Sequence, residues 1–108
     1  MTNIYYTYNW NNKLDCLAFT TIRLRNDQVY YKGMVANVIL KKVDRGPVII
    51  VGIKHFLLHE LNEFMARIDT GYSKEKTIAI IQTMYKNRNI NWKTQQLSFI
   101  LQKKLKTK

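Results

Sequence analysis

The sequence predicts an α+β domain, a curled or barrel-like sheet with two helices inserted before the last strand. Three observations carry this. Short segments rich in β-branched and aromatic residues, separated by turn residues, fill roughly the first half of the chain. The hydrophobic period then changes to that of helices. Finally Leu97, Phe99 and Leu101 alternate with polar residues, as in a half-buried strand. At 108 residues the chain has the length of one domain, and 1–108 reads as a single unit without linker or repeat.

Asn3 to Tyr8 reads as a first strand that ends at the turn-rich Asn9-Trp10-Asn11-Asn12. Phe19 to Leu24 reads as the second, while Leu14 to Ala18 fits either strand or a helical turn. After Lys32-Gly33, Met34 to Val43 and Val48 to Lys54 form a hairpin around Asp44-Arg45-Gly46-Pro47. There Asp bonds the local backbone, Gly permits positive φ and Pro fixes φ. Leu57, Leu58, Leu61, Phe64, Met65 and Ile68 recur at helical spacing, predicting a helix over 55–68. Asp69-Thr70-Gly71-Tyr72 interrupts it. Ser73 then caps a second helix whose stripe is Ile78, Ile81, Met84 and Tyr85. The last strand leads into a basic tail over 102–108.

No apolar run exceeds that of Val48 to Val51, far short of the ~20 residues of a membrane span, and the opening MTNIYYTYNW has no signal-peptide pattern. Cys16 is the lone cysteine, which fits a reducing, cytoplasmic setting and a buried or half-buried structural thiol. His55 and His59 stand four apart on the first expected helix, but Phe-Leu-Leu lies between them and no third ligand is evident. No phosphate loop or dinucleotide fingerprint occurs. No metal and no cofactor are expected.

Charge is the strongest compositional signal. Eighteen Lys and Arg against seven Asp and Glu give a net +11, and no acid follows Glu75. Such a field draws polyanions, nucleic acid among them, or an acidic protein partner. Aromatic residues beside basic ones, Tyr30-Tyr31-Lys32 and Trp92-Lys93, are what a base-stacking platform uses. The abundance of Lys, Asn, Ile and Tyr is the bias of AT-rich coding DNA, which fits a viral, phage-encoded accessory protein as an alternative.

In Phe19-Thr20-Thr21-Ile22-Arg23, the strand period puts Thr21 and Arg23 on one face, where a hydroxyl and a guanidinium can hold a phosphate, a carboxylate or a base edge. This segment, then Tyr31-Lys32-Gly33, a hairpin, a helix ending near Asp69, the Ser73 to Tyr85 helix and a closing strand resemble the ASCH family over roughly residues 15–103. ASCH domains are small barrels related to the PUA domain and associated with RNA. The resemblance implies an RNA- or modified-nucleotide-binding module with Thr21, Arg23, Lys32, Asp69 and Tyr72 at its pocket. The nearest pattern is that of small bacterial amidohydrolases acting on N4-acetylcytidine, whose signature opens Lys-Thr-x-Thr-x-Arg. It implies Thr21 as nucleophile and Asp69 as acid/base if the chain is an enzyme, with Asp69 alternatively pairing Arg23. The essential Lys of that signature falls on Ala18 and its first Thr on Phe19. A hydroxyl is a weak nucleophile without an adjacent base, so this departure weighs against catalysis.

Overall fold

A computed structural model describes residues 2–105. Strands β1 (Thr2–Tyr6), β2 (Ala18–Leu24), β3 (Val35–Leu40), β4 (Val43–Leu57) and β5 (Gln96–Lys104) form one sheet in the order β1-β3-β4-β5-β2, with helices α1 (Glu63–Asp69) and α2 (Lys74–Met84) between β4 and β5. β1 runs parallel to β3, and every other pair is antiparallel. The sheet curls into a half-barrel whose open edges are β1 and β2, with both helices inserted before the last strand as the sequence predicts.

Two apolar clusters hold this curl. One takes residues from all five strands, among them Ile4, Tyr6, Phe19, Val38, Ile50 and Ile100. The other joins Ile22, Phe56 and Leu97 of the sheet to Leu58, Leu61 and Ile81 on the helical side. One strand can serve both because β4 carries an extra residue at Val51, where the register with β5 shifts between Ile50 and Gly52. A bulge reverses which parity faces which side. Ile50 therefore points with Ile100 into the first cluster, while Phe56, beyond the bulge, packs in the second.

Several local expectations change. The hairpin reverses not at Asp44-Pro47 but at Lys41-Lys42, with Leu40 paired to Val43. Asp44 does accept from the Gly46 N–H (2.8 Å), so the turn chemistry is real, but it shapes a bulge within β4, where the register shifts between Asn37 and Ile39. Lys41 and Lys42 hold φ of 47° and 72°, the two-residue turn that favours Asn-Gly. Replacing Lys42→Gly should raise stability by about 1 kcal/mol, read as an upward shift of the urea midpoint. An unchanged midpoint would show that this turn carries no strain.

The helix expected over 55–68 begins only at Glu63. Its first residues belong to β4, where His55, Phe56 and Leu57 pair with Ser98, Leu97 and Gln96. Asn62, inside the expected helix, instead caps α1 by accepting from the Met65 N–H (2.8 Å), an alternative that short polar side chains offer in place of helix interior. Phe64 and Ile68, expected in the apolar stripe, are 80% and 51% exposed, and Ala66 and Asp69 face inward instead. The second helix lies where predicted, with Ser73 Oγ accepting from the Lys76 N–H, but Met84 of its expected stripe is 49% exposed and Thr77 is buried in its place.

The face of β5 also differs. Ile100 and Gln102 are fully buried and Leu101 is exposed, because Leu97 and Phe99 cover the second cluster while the opposite face turns into the first. The tail expected over 102–108 begins later, since Gln102–Lys104 are strand residues; 106–108 lie outside the described residues. Cys16 is exposed rather than buried, on the bend that follows a 3-10 helix at Trp10–Asp15.

Candidate functional site

The half-barrel does not close between its edge strands, and the opening is a cavity of about 200 Å³. The end of β1 (Tyr5, Tyr6), the 3-10 helix (Trp10, Lys13), β2 (Thr21, Ile22, Arg23), the end of α1 (Asp69, Thr70) and α2 (Ile80, Ile81, Met84, with Tyr85) line it. Its walls are aliphatic and aromatic. Its charged groups are Lys13, Arg23 and Asp69.

Lys13 is carried inward by an asparagine-rich turn. Asn11 and Asn12 hold φ of 59° and 52°, a conformation that Asn tolerates better than most residues, and Asn9 Oδ1 accepts from the Leu14 N–H (2.9 Å). Lys13, only 5% exposed, donates to Asp69 Oδ1 (2.9 Å), and the Thr20 hydroxyl donates to the same oxygen (2.8 Å). Gly71 lets the two loops meet. A Cβ there would lie 3.0 Å from Asn11 Oδ1, and φ is +83°, so glycine is required twice over. At the C-terminal end of a helix a carboxylate meets the negative pole of the dipole, and the Lys13 ammonium offsets this for Asp69.

Arg23 stands on the other face of β2. Its Nε donates to Thr21 Oγ1 (2.9 Å), and its guanidinium lies over the Tyr6 ring, 4.7 Å from the centroid. Gln102 Nε2 donates to the Tyr6 hydroxyl (3.0 Å), while Gln102 Oε1 is buried without a partner among the described residues. Burial pushes the Lys13 pKa below its ordinary value; Asp69 pulls it back and the charge of Arg23 adds to the lowering. Burial also holds the Tyr6 phenol protonated to higher pH, against the pull of Arg23.

Thr21, Arg23 and Asp69 thus line one cavity, without the pairing of Asp69 to Arg23 that the resemblance offered. Asp69 is bonded to Lys13 and Thr20, not to Arg23, because neighbouring residues of a strand point to opposite faces. Tyr72 is 41% exposed and stands outside the lining, edge-on to Trp10 with centroids 6.0 Å apart. Lys32 is exposed in the turn before β3 and is not brought to the cavity. Trp92 is half-buried and packs in the second cluster with Tyr85. Lys13 is the residue that sequence reasoning left unassigned, as nothing in its spacing ties it to a carboxylate 56 positions away.

His55 and His59 do not share a helix face, since one lies on β4 and the other in the short 3-10 helix at Leu58–Glu60. Among the described residues no three His, Cys, Asp or Glu side chains converge. His55 Nδ1 does lie 2.9 Å from Ser98 Oγ, with Asp27 4.0 Å from Nε2, which has the composition of a hydrolytic triad. Ser98, however, is 1% exposed, and Arg25 holds the Asp27 carboxylate through two bonds. No substrate reaches that serine oxygen.

No helix among the described residues is long and apolar enough to cross a membrane. No protein-family model, curated protein or solved structure matches this chain.

Proposed function

We propose that this chain is a small basic module of the ASCH/PUA-like type, cytoplasmic, that binds RNA or a modified nucleotide in the cavity between β1 and β2. The observation that carries the reading is the combination of an apolar, aromatic-walled cavity with charged side chains held in fixed places, the Lys13–Asp69 pair and the Arg23 fork beside Thr21. At about 200 Å³ the cavity is smaller than the roughly 300–1,000 Å³ of drug-sized ligand pockets, which suits a single base. Splayed bases are read by aromatic contact and by donors and acceptors at their edges, and this wall offers both. The +11 charge supplies the phosphate attraction.

The test is a fluorescence-anisotropy titration with single-stranded RNA, double-stranded RNA and DNA at two salt concentrations. A preference for single-stranded RNA that persists at the higher salt is expected. Weak, equal binding that vanishes with salt would reduce the charge to a nonspecific field and overturn the reading.

One observation favours a second reading, that of an amidohydrolase on an acylated nucleoside. The buried Lys13 amine lines the same cavity as Thr21, a lysine where position 18 has none. Against it, Thr21 Oγ1 accepts from Arg23, and no base among the described residues is bonded to it, so nothing draws off its proton. Acetate release from N4-acetylcytidine, lost in both Thr21→Ala and Lys13→Met, would establish it; no release at high protein concentration rejects it.

A further inference from the structure

A second concavity, of about 390 Å³, opens beside the first and shares Arg23 and Tyr85 with it. Three guanidinium-bearing residues line it, Arg23, Arg25 and Arg88, together with Tyr30 and Gln95, and no carboxylate does. Arg25 is anchored, since it makes two bonds to Asp27 (both 2.9 Å) and a third to Gln96. Neither Arg23 nor Arg88 is paired with a carboxylate among the described residues. Arg23 spends its Nε on Thr21 and its flat face on Tyr6, which leaves its two terminal nitrogens for a ligand. Arg88 is placed by its own backbone, whose N–H donates to Tyr85 O (3.0 Å) in the turn after α2. Arg23 and Arg88, the two without a carboxylate, repel one another, and a bound anion removes that repulsion. The planar fork of Arg suits a phosphoryl group in particular.

We propose that this groove is a phosphate subsite and that the ligand of the first cavity is a phosphorylated nucleoside, its base between β1 and β2 and its phosphate on Arg88 and the terminal nitrogens of Arg23. The proposal rests on the reading of the first cavity as a base pocket. Arg23 joins the two halves because it lines both. The phosphate comes either from a free nucleotide or from the backbone of an RNA strand.

Isothermal titration of the four ribonucleosides and their 5′-monophosphates, into the wild-type protein and Arg88→Ala, tests this. Arg88 is exposed in a loop, and a thermal melt confirms that the variant is folded. The monophosphate of the preferred base should bind at least about tenfold more tightly than its nucleoside, since Arg88 alone supplies one charge-assisted contact. In Arg88→Ala that gain should fall below about threefold, with nucleoside affinity unchanged. Equal affinity for nucleoside and monophosphate would overturn the phosphate subsite and leave the base pocket standing. A gain that survives Arg88→Ala would overturn its placement in this groove. Binding of neither would overturn the base-pocket reading and this one with it. Given the gain, a trinucleotide that binds more tightly than the monophosphate assigns the phosphate to a strand, and equal binding assigns it to a free nucleotide.

Discussion

Asp69→Ala is expected to lower the unfolding free energy by about 3–5 kcal/mol, the largest single effect in this molecule, because it strands a buried ammonium. Lys13 and Asp69 are 5% and 8% exposed at their side chains, so water cannot replace the lost partner. Thr20 also loses its acceptor. Total stability for a domain of this size is about 5–15 kcal/mol, so the loss will be plain in the urea midpoint. The double variant Lys13→Met/Asp69→Leu should recover most of it, since an apolar pair of similar volume carries no desolvation penalty. If Asp69→Ala costs under about 1 kcal/mol, the pair is hydrated and the description of the cavity floor is wrong.

The same pair has a signature in pH. Burial lowers the Lys13 pKa from its ordinary 10.5, so the folded protein releases that proton before the unfolded chain does. Between the two values the unfolded state binds more protons, and stability therefore rises with pH across that window. Without the Asp69 carboxylate the folded pKa falls further, so Asp69→Ala should show a steeper rise that starts at lower pH. Tyr6 and Tyr85, whose burial raises their pKa above 10.0, act in the opposite direction once the unfolded chain ionises. The comparison is therefore made below 10.0. Parallel pH profiles for the two proteins would contradict the assignment to Lys13.

What the sequence showed and what it hid follow from the range of each interaction. Strand and helix order is written in local periods, and so is the placing of Thr21 with Arg23, which needs only the two-residue repeat. Asp69 was reachable through the resemblance alone. Lys13 was not, because a lysine beside Leu14 in an Asn-rich turn looks like a solvated residue until the chain folds an aspartate against it. The extent of β4 was hidden for a related reason. Asp44-Arg45-Gly46-Pro47 carries every mark of a turn, and only pairing with β3 shows that the same bonds make a bulge. In 55–68 the leucine spacing fits a helix, but His55 to Leu57 gain a neighbouring strand, and Asn62 supplies a start signal that competes with helix interior.

Arg23→Ala should weaken binding of single-stranded RNA or nucleotide by roughly 30-fold, about 2 kcal/mol, while changing stability by about 1 kcal/mol or less. Three features meet at this side chain: the bond from Nε to Thr21, the stack on Tyr6 and a place in the lining of both concavities. Arg23→Lys separates them. It restores the charge but neither the flat stack nor the fork, so it should recover less than about threefold of the loss. Lys41→Ala, in the β3–β4 turn and in the lining of neither concavity, removes the same charge and should cost less than about twofold at moderate salt. The ordering Lys41→Ala, then Arg23→Lys, then Arg23→Ala is the mark of a built site. A protein that binds only through its net charge would instead treat Arg23→Lys as wild type and the two alanine variants alike, because a field counts charges and does not register where the guanidinium is held.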